Sequence, residues 1–571
     1  MGKKRRKRKK KNRSTKEQVS NAVKPQRDFT ALWLALLSHV LLWLAMPGRD
    51  LSWLAWITMV PIVWLIRSPV PSHKLLRQVW IATLLYWLVM LHFVRLPFWP
   101  LWFGWFALAG YLSVYGPLFV SISRTMVHRF RVPTVIAVPI VFTGLEWIRV
   151  NFLSGFGLGC VSHSQYKTPA GMQIAEFFGA YGVTFSIMLI ASALGVATAV
   201  NWRNLKTNLS LPTRLIHLAI TAIAFMGVVG FGTQQLSVDA KIRNTAEPHK
   251  HLKVALIQSS LDTILKAETL EQVEHAFMVR RDLTHSARLL SQELDLIVWP
   301  ESALHDYYGD YLSNISPDDT KEFRQQHLSM AWQAAIGKPA PFADAVPLLT
   351  GSTTIDPQED KLFNSALLFN ETGNVQQRYF KIHLVMFGEY FPVVHSIPVL
   401  KEFIKGFRSL NEGTEFISMP VKDVSIAPSI CFETTVPHLI RRQINTLEDS
   451  GSATDVMVNV TNDGWFFGTS CLDLHLACNT LRAVEMRKPM LVSANTGFSA
   501  HIDEFGRHIQ VGPRREEATL ICDVRVPLPK TTVYRGWGAW LPCIMGWLSL
   551  LALALPYAFS FNNSRNATST A

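Results

Sequence analysis

Residues 423–433 read DVSIAPSICFE, an apolar, β-branched run that closes on a thiol, an aromatic ring and a carboxylate. The same grammar recurs through the second half of the chain. HLKVALIQ (251–258), LDLIVWPE (294–301), VPLLTGST (346–353), FNSALLF (363–369), DVMVNVTNDGW (455–465) and MLVSANTG (490–497) are short apolar runs, most of them closing on polar or Gly residues. Between them, TLEQVEHAFMVRRDLTHSARLLSQEL (269–294) and HLACNTLRAVEMRK (475–488) repeat apolar residues at spacings of three and four. Strands alternating with helices predict stacked α/β layers. Sites in such sheets collect just beyond strand C-terminal ends. Glu301, Cys431 and Asn462–Asp463 fall at those ends.

Cys431 then has two readings. Cysteine is a common small core residue, so packing is one. The other is a nucleophile, which needs a base to take its proton and a cation to hold the developing oxyanion. Glu301, following LIVWP, can supply the base. Lys381, in RYFKIHLVMFGEYFP (378–392), can supply the charge, and a lysine beside a thiol lowers its pKa. Taken singly, Glu301 could instead cap a helix and Lys381 could be a surface lysine. The six cysteines are too few and too scattered for a disulfide framework. Cys471, His475 and Cys478 form one local cluster without a fourth ligand, so no metal is expected there.

The first part of the chain has another character. Of 571 residues, 49% are hydrophobic and only 17% charged, below the roughly 25% typical of soluble domains, which predicts a membrane portion. The net charge of +14 is concentrated in residues 1–27, with thirteen Lys or Arg against one Glu. Such a tail is expected to be disordered and to act as a topology signal or anionic-lipid contact, not as a nucleic-acid site. Apolar segments near 29–47, 51–66, 78–95, 98–122, 132–149, 177–200, 215–233 and 537–560 predict about eight spans. The loops 67–77, 124–131 and 201–214 carry three basic residues each, whereas PGRD (47–50) and RLP (95–97) carry one each. The positive-inside rule places the tail and the three basic loops in the cytosol. The expected division is a basic cytoplasmic tail (1–28), a membrane domain of about seven helices (29–233) and an extracytoplasmic domain (234–536). A last transmembrane helix (537–560) and a cytoplasmic tail (561–571) follow. Glu146 and Arg149, in LEWIRVNFLSGFGLG (145–159), are spaced to pair on one helix face, as a functional charge or as a brace for the bundle.

The ordered set VWPESA (298–303), YFKIHLVMFGEYFP (379–392), ICFE (430–433), NVTNDGWFFGTS (459–470) and LRAVEMRKPMLVSANTG (481–497) resembles the nitrilase-type carbon–nitrogen hydrolases with their Glu–Lys–Cys triad. Within that superfamily, KIHLVMFGEYFP (381–392), the Glu146–Arg149 stretch and MQIAEFFGAYGV (172–183) are similar to the bacterial apolipoprotein N-acyltransferases, over roughly residues 30–560. The resemblance implies an α-helical polytopic membrane bundle carrying an α/β domain, a nitrilase-like αββα sandwich. The protein would lie in the bacterial inner membrane with that domain on the periplasmic side. Cys431 would take an acyl group from a membrane phospholipid as a thioester. The α-amino group of the S-diacylglyceryl cysteine of an apolipoprotein would then accept it. Glu301 would be general base and acid, and Lys381 would stabilise the oxyanion. Glu389, Glu433 and Asn364 match supporting positions. No cofactor is implied. A membrane-anchored amidase acting on a small amide is the alternative. Two departures stand out: Phe432 occupies a position usually held by Tyr, and residues 465–478 lack the Pro and Gln usual before His475.

Overall fold

The computed structural model describes residues 29–68, 72–199, 210–245, 250–263, 270–305, 345–356, 361–390 and 409–568. The basic tail, most of the loop 201–214 and the last three residues lie outside them, as does the order or disorder expected of that tail.

The described residues between 30 and 197 form helices joined by turns and loops. Thr30–Ala45, Ser72–Met90, Thr134–Asn151 and Ala180–Ala197 follow the expected spans closely. The segment expected at 51–66 is instead a turn, Ser52–Trp56, and a short helix, Val60–Arg67. Pro61 sits in that helix's first turn, where its missing N–H costs nothing. The helix expected at 215–233 runs from Leu211 to Thr245, past the boundary placed at 233. Its end is tied to the following domain. Arg243 pairs with Asp239 at 2.9 Å, Glu504 at 2.7 Å and Asp503 at 3.3 Å. Among the described residues, Leu101–Arg129, Thr134–Asn151, Ala180–Ala197 and Leu211–Arg243 are long and apolar enough to cross a membrane. Thr30–Ala45, Ser52–Arg67 and Trp540–Pro556 are shorter apolar helices.

The α/β domain begins at strand β1 (Lys250–Gln258), followed by β2 (Leu296–Val298), β3 (Leu304–His305), β4 (Leu348–Asp356), β5 (Lys361–Phe369) and β6 (Val375–Phe380). Then come β7 (Met419–Val421), β8 (Val424–Ile430), β9 (Val456–Thr461), β10 (Met490–Ala494), β11 (Ala500–Ile502), β12 (His508–Val511) and β13 (Ala518–Val526). Among the described residues these make two sheets, ordered β13-β1-β2-β4-β5-β6 with β3 beside β4, and β12-β11-β10-β9-β8-β7. The centres are parallel, β1 with β2 and β4, and β8 with β9 and β10. Period-two alternation decides which side chains go where. Leu252, Val254 and Leu256 of β1 meet Ile426, Ile430, Val458 and Val460 between the sheets. Ala255 and Ile257 face outward against the helix Leu270–Leu290, through Ala287 and Phe277. The second sheet turns Ala427, Met457 and Val492 toward the helices Pro437–Asp449 and Cys471–Met486. The result is the αββα sandwich expected from the sequence.

The helix Cys471–Met486 is buried along its whole length, because the sheet covers one side and the bundle the other. Glu485 Oε1 accepts from the Ala180 amide at 2.7 Å, and Arg487 just beyond the helix pairs with Glu176 at 2.8 Å. The two halves therefore share one interior.

Glu146 and Arg149 do pair, at 3.7 Å. Glu146 also accepts from the Val161 amide (3.0 Å) and the Thr184 hydroxyl (2.7 Å), while Arg149 donates to Leu158 O (3.1 Å) and meets Cys160 Sγ (3.2 Å). The pair thus clamps the loop 157–161 to the bundle. That loop presses on the α/β domain, since a Cβ on Gly157 would lie 2.0 Å from Thr435 O.

The last helix, Trp540–Thr568, crosses Thr134–Asn151 at Gly144, where a Cβ would lie 2.5 Å from the Met545 backbone. Close backbone approach at small residues is how helices pack without a hydrophobic driving force. Gly144→Leu should destabilise the protein by about 1–3 kcal/mol in detergent unfolding. Gly110→Leu, at a site with nothing within 4 Å of a Cβ, should not.

Candidate active site

Three strand ends and the middle of a fourth strand build the site. Glu301 lies three residues past the end of β2, and Gly351 on β4 makes room, since a Cβ there would lie 2.4 Å from Glu301 Cα. Asn364 sits within β5, and Lys381 immediately follows β6, its amide donating to Asn364 O at 2.8 Å. Cys431 follows β8 and starts the turn Cys431–Thr435 with φ at +52°, a left-handed conformation costly for any residue with a Cβ. The neighbouring interactions must over-determine it.

Lys381 is 1% exposed, so its surface reading is excluded. Its ammonium donates to Glu389 Oε1 at 2.8 Å and lies 3.6 Å from Glu301 Oε1. Asn364 Nδ2 bridges the same two carboxylates, at 2.7 Å to Glu301 and 2.9 Å to Glu389. Glu301 Oε2 accepts from the Asn462 amide at 2.8 Å, and Glu389 Oε2 from the Val385 amide at 2.8 Å. Glu301 is 5% exposed and committed to these partners; the helix-cap alternative does not apply. Burial disfavours the Lys381 charge, but the carboxylates of Glu389 and Glu301 outweigh it and raise the ammonium pKa. Burial pushes the Cys431 thiol well up, Glu301 adds to that, and Lys381 and a hydrogen bond from Thr461 oppose it. The resting group is a thiol, poised beside a carboxylate that can take its proton.

Two family models match the chain. The "Apolipoprotein N-acyltransferase N-terminal domain" covers residues 38–193, and "Carbon-nitrogen hydrolase" covers residues 253–532. The apolipoprotein N-acyltransferase of Rhodopirellula baltica is 26% identical over 87% of this chain and 92% of its own. That of Geobacter metallireducens is 29% identical over 93% of this chain and 96% of its own. The chain belongs to the apolipoprotein N-acyltransferase family. A solved nitrilase-superfamily structure, Nit3 of Saccharomyces cerevisiae, aligns with 49% of this chain and 92% of its own at 17% identity, with a TM-score of 0.35.

The matching positions of this N-acyltransferase-family chain divide into two groups. Glu301, Lys381, Glu389 and Asn364 form the cluster just described. Glu433 is apart from it. Its carboxylate, fully buried, accepts from the amides of Ile430 (2.8 Å), Ile382 (2.8 Å) and His383 (3.2 Å) and from the Tyr379 hydroxyl (2.9 Å). It therefore ties the residue before Cys431 to the residues after Lys381, which fixes the thiol and the ammonium relative to each other. Phe432 stacks on His383, with ring centroids 6.0 Å apart. Sequence reasoning missed Tyr379, which reads as an ordinary strand residue. It also missed Thr461, whose signal was its place at the end of β9 next to Asn462.

Glu433→Ala leaves several buried donors without acceptors and should cost about 3 kcal/mol or more of stability in denaturant unfolding. Tyr379→Phe removes one hydroxyl and should cost about 1 kcal/mol.

Proposed function

We propose that this protein transfers a fatty acyl group from a membrane phospholipid, through a thioester on Cys431, to the α-amino group of the S-diacylglyceryl cysteine of an apolipoprotein. The observation that carries the reading is a half-buried Cys beside a buried Glu and Lys at strand ends of a sandwich that shares its interior with an apolar helical bundle. An amidase acting on a small soluble amide would have no use for that bundle.

The arrangement of the three groups supports the following roles. Glu301 takes the Cys431 proton as sulfur attacks the ester carbonyl carbon. The carbonyl oxygen becomes an oxyanion beside the Lys381 ammonium, a cation already held in place and needing no reorganisation. Collapse breaks the ester C–O bond, and Glu301 returns the proton to the lysophospholipid alkoxide. In the second half the amine attacks the thioester, Glu301 accepts the amine proton, and the sulfur leaves and regains a proton. Glu389 and Asn364 keep Lys381 and Glu301 aligned. Glu433 holds the nucleophile turn.

Topology follows from the same reading. The helix Ser72–Met90 and the shorter apolar helices Thr30–Ala45, Ser52–Arg67 and Trp540–Pro556 join the four long ones in a multi-pass bundle of about eight passes in the bacterial inner membrane. The basic loops face the cytosol, and the α/β domain, together with its partners phospholipid and apolipoprotein, lies on the periplasmic side. We keep the division read from the sequence with one change: the membrane domain is carried from 233 to Thr245, where the helix Leu211–Thr245 ends.

Acyl transfer from a labelled phospholipid to a synthetic S-diacylglyceryl-cysteine peptide tests the roles. Glu301→Gln and Lys381→Met should each lower kcat/KM by about 100-fold or more, the scale for removing a general base or an oxyanion partner. Transfer within tenfold of wild type in either variant would refute its assigned role.

A further inference from the structure

A second buried ionic pair stands behind the nucleophile. His475, on the helix Cys471–Met486, and Asp463, just after β9, meet through Nδ1 and Oδ1 at 2.8 Å. Both are more than nine-tenths buried. Their contacts run toward the thiol. The Thr461 hydroxyl lies 3.4 Å from Asp463 Oδ1 and 3.5 Å from His475 Nδ1. Thr461 follows Val460, the register partner of Ile430, and so stands beside Cys431, whose thiolate it favours. His475 Nε2 has no hydrogen-bond partner among the described residues, so the imidazole is held from one side only, by Asp463 and Thr461. Gly497 leaves space for this arrangement, because a Cβ there would lie 2.1 Å from Asp463 Oδ2.

Asp463 poses a problem that the Glu–Lys–Cys cluster does not solve. It is a buried carboxylate close enough to disfavour the Cys431 thiolate, adding to Glu301, whereas Lys381 is already shared by Glu301 and Glu389. An uncompensated second carboxylate would make the nucleophile harder to generate. We infer that His475 is a positioning residue for the transfer: paired with Asp463, it cancels that carboxylate's charge and holds the Thr461 hydroxyl on the Cys431 sulfur. This rests on reading Cys431 as the nucleophile. The charged or titratable groups facing the pair are Glu301, Lys381 and Cys431, with Cys471 also beside Cys431. Burial disfavours the imidazolium, but the charge of Asp463 and its hydrogen bond outweigh that and raise the His475 pKa above the ordinary imidazole value.

The test reads the thiol without any lipid, so it can fail while the acyl-transfer reading stands, and the reverse. Alkylation of Cys431 by iodoacetamide is followed across pH on the full-length protein in detergent, by peptide-resolved mass spectrometry. His475→Asn should slow alkylation about tenfold at neutral pH and move the profile to higher pH, as a rise of about one unit in thiol pKa would. The double variant Asp463→Asn/His475→Asn removes both charges and should return to within about twofold of wild type. A merely structural His475 would give a double variant at least as slow as the single and no shift in profile. Either that result, or wild-type alkylation by His475→Asn, overturns the inference. If His475→Asn loses its unfolding transition, Asp463→Asn alone decides: it should alkylate no slower than wild type, and slower alkylation overturns the inference.

Discussion

The structure around the site depends on one constraint, the burial of the Lys381 ammonium. A cation removed from water is tolerable only when paired and hydrogen-bonded. At 1% exposure, Lys381 meets Glu389 at 2.8 Å and Glu301 at 3.6 Å. Those carboxylates need their own partners, and find them in the Asn364 amide group and the backbone amides of Val385 and Asn462. Satisfying one charge therefore draws together the ends of β2, β6 and β9, the middle of β5 and the turn at 385–389. The chemistry and the packing of this end of the sandwich are one requirement.

Cys431 is placed by a separate device. Cys431 sits in a left-handed conformation, and Glu433 collects the Ile430 amide with those of Ile382 and His383. Because Ile382 and His383 directly follow Lys381, strain at the thiol is held by the same strand end that delivers the ammonium. On the other side, the Glu146–Arg149 clamp presses Gly157 onto Thr435, at the end of the Cys431 turn. The bundle thus bears directly on the turn that carries the thiol, as an enzyme drawing its acyl donor from a bilayer requires.

Much of this was legible in the sequence for physical reasons. Short apolar, β-branched runs named the strands, and their polar ends named Glu301 and Cys431, because a polar residue closing a buried strand must be satisfied at the sheet edge. Asn364, mid-strand in FNSALLF, was found only through resemblance, since its role lies in an amide that bridges two distant carboxylates. Glu433 was seen but its partners were not. They are backbone amides from another strand end, and no side-chain pattern records them. His475 was read only as one member of an incomplete zinc cluster; its actual partner, Asp463, comes from a different element. The Leu211–Thr245 helix outran its expected end because Asp239 and Arg243, which look like a loop by composition, are neutralised by Asp503, Glu504 and Arg507.

The central claim is that Cys431 carries the acyl group. Intact mass of the purified protein after incubation with phospholipid, wild type against Cys431→Ser, tests it directly. A fatty-acyl increment on the wild type alone, removed by neutral hydroxylamine, is the predicted result. No increment on the wild type, with the phospholipid shown to be accessible, or an equal increment on Cys431→Ser, would contradict it.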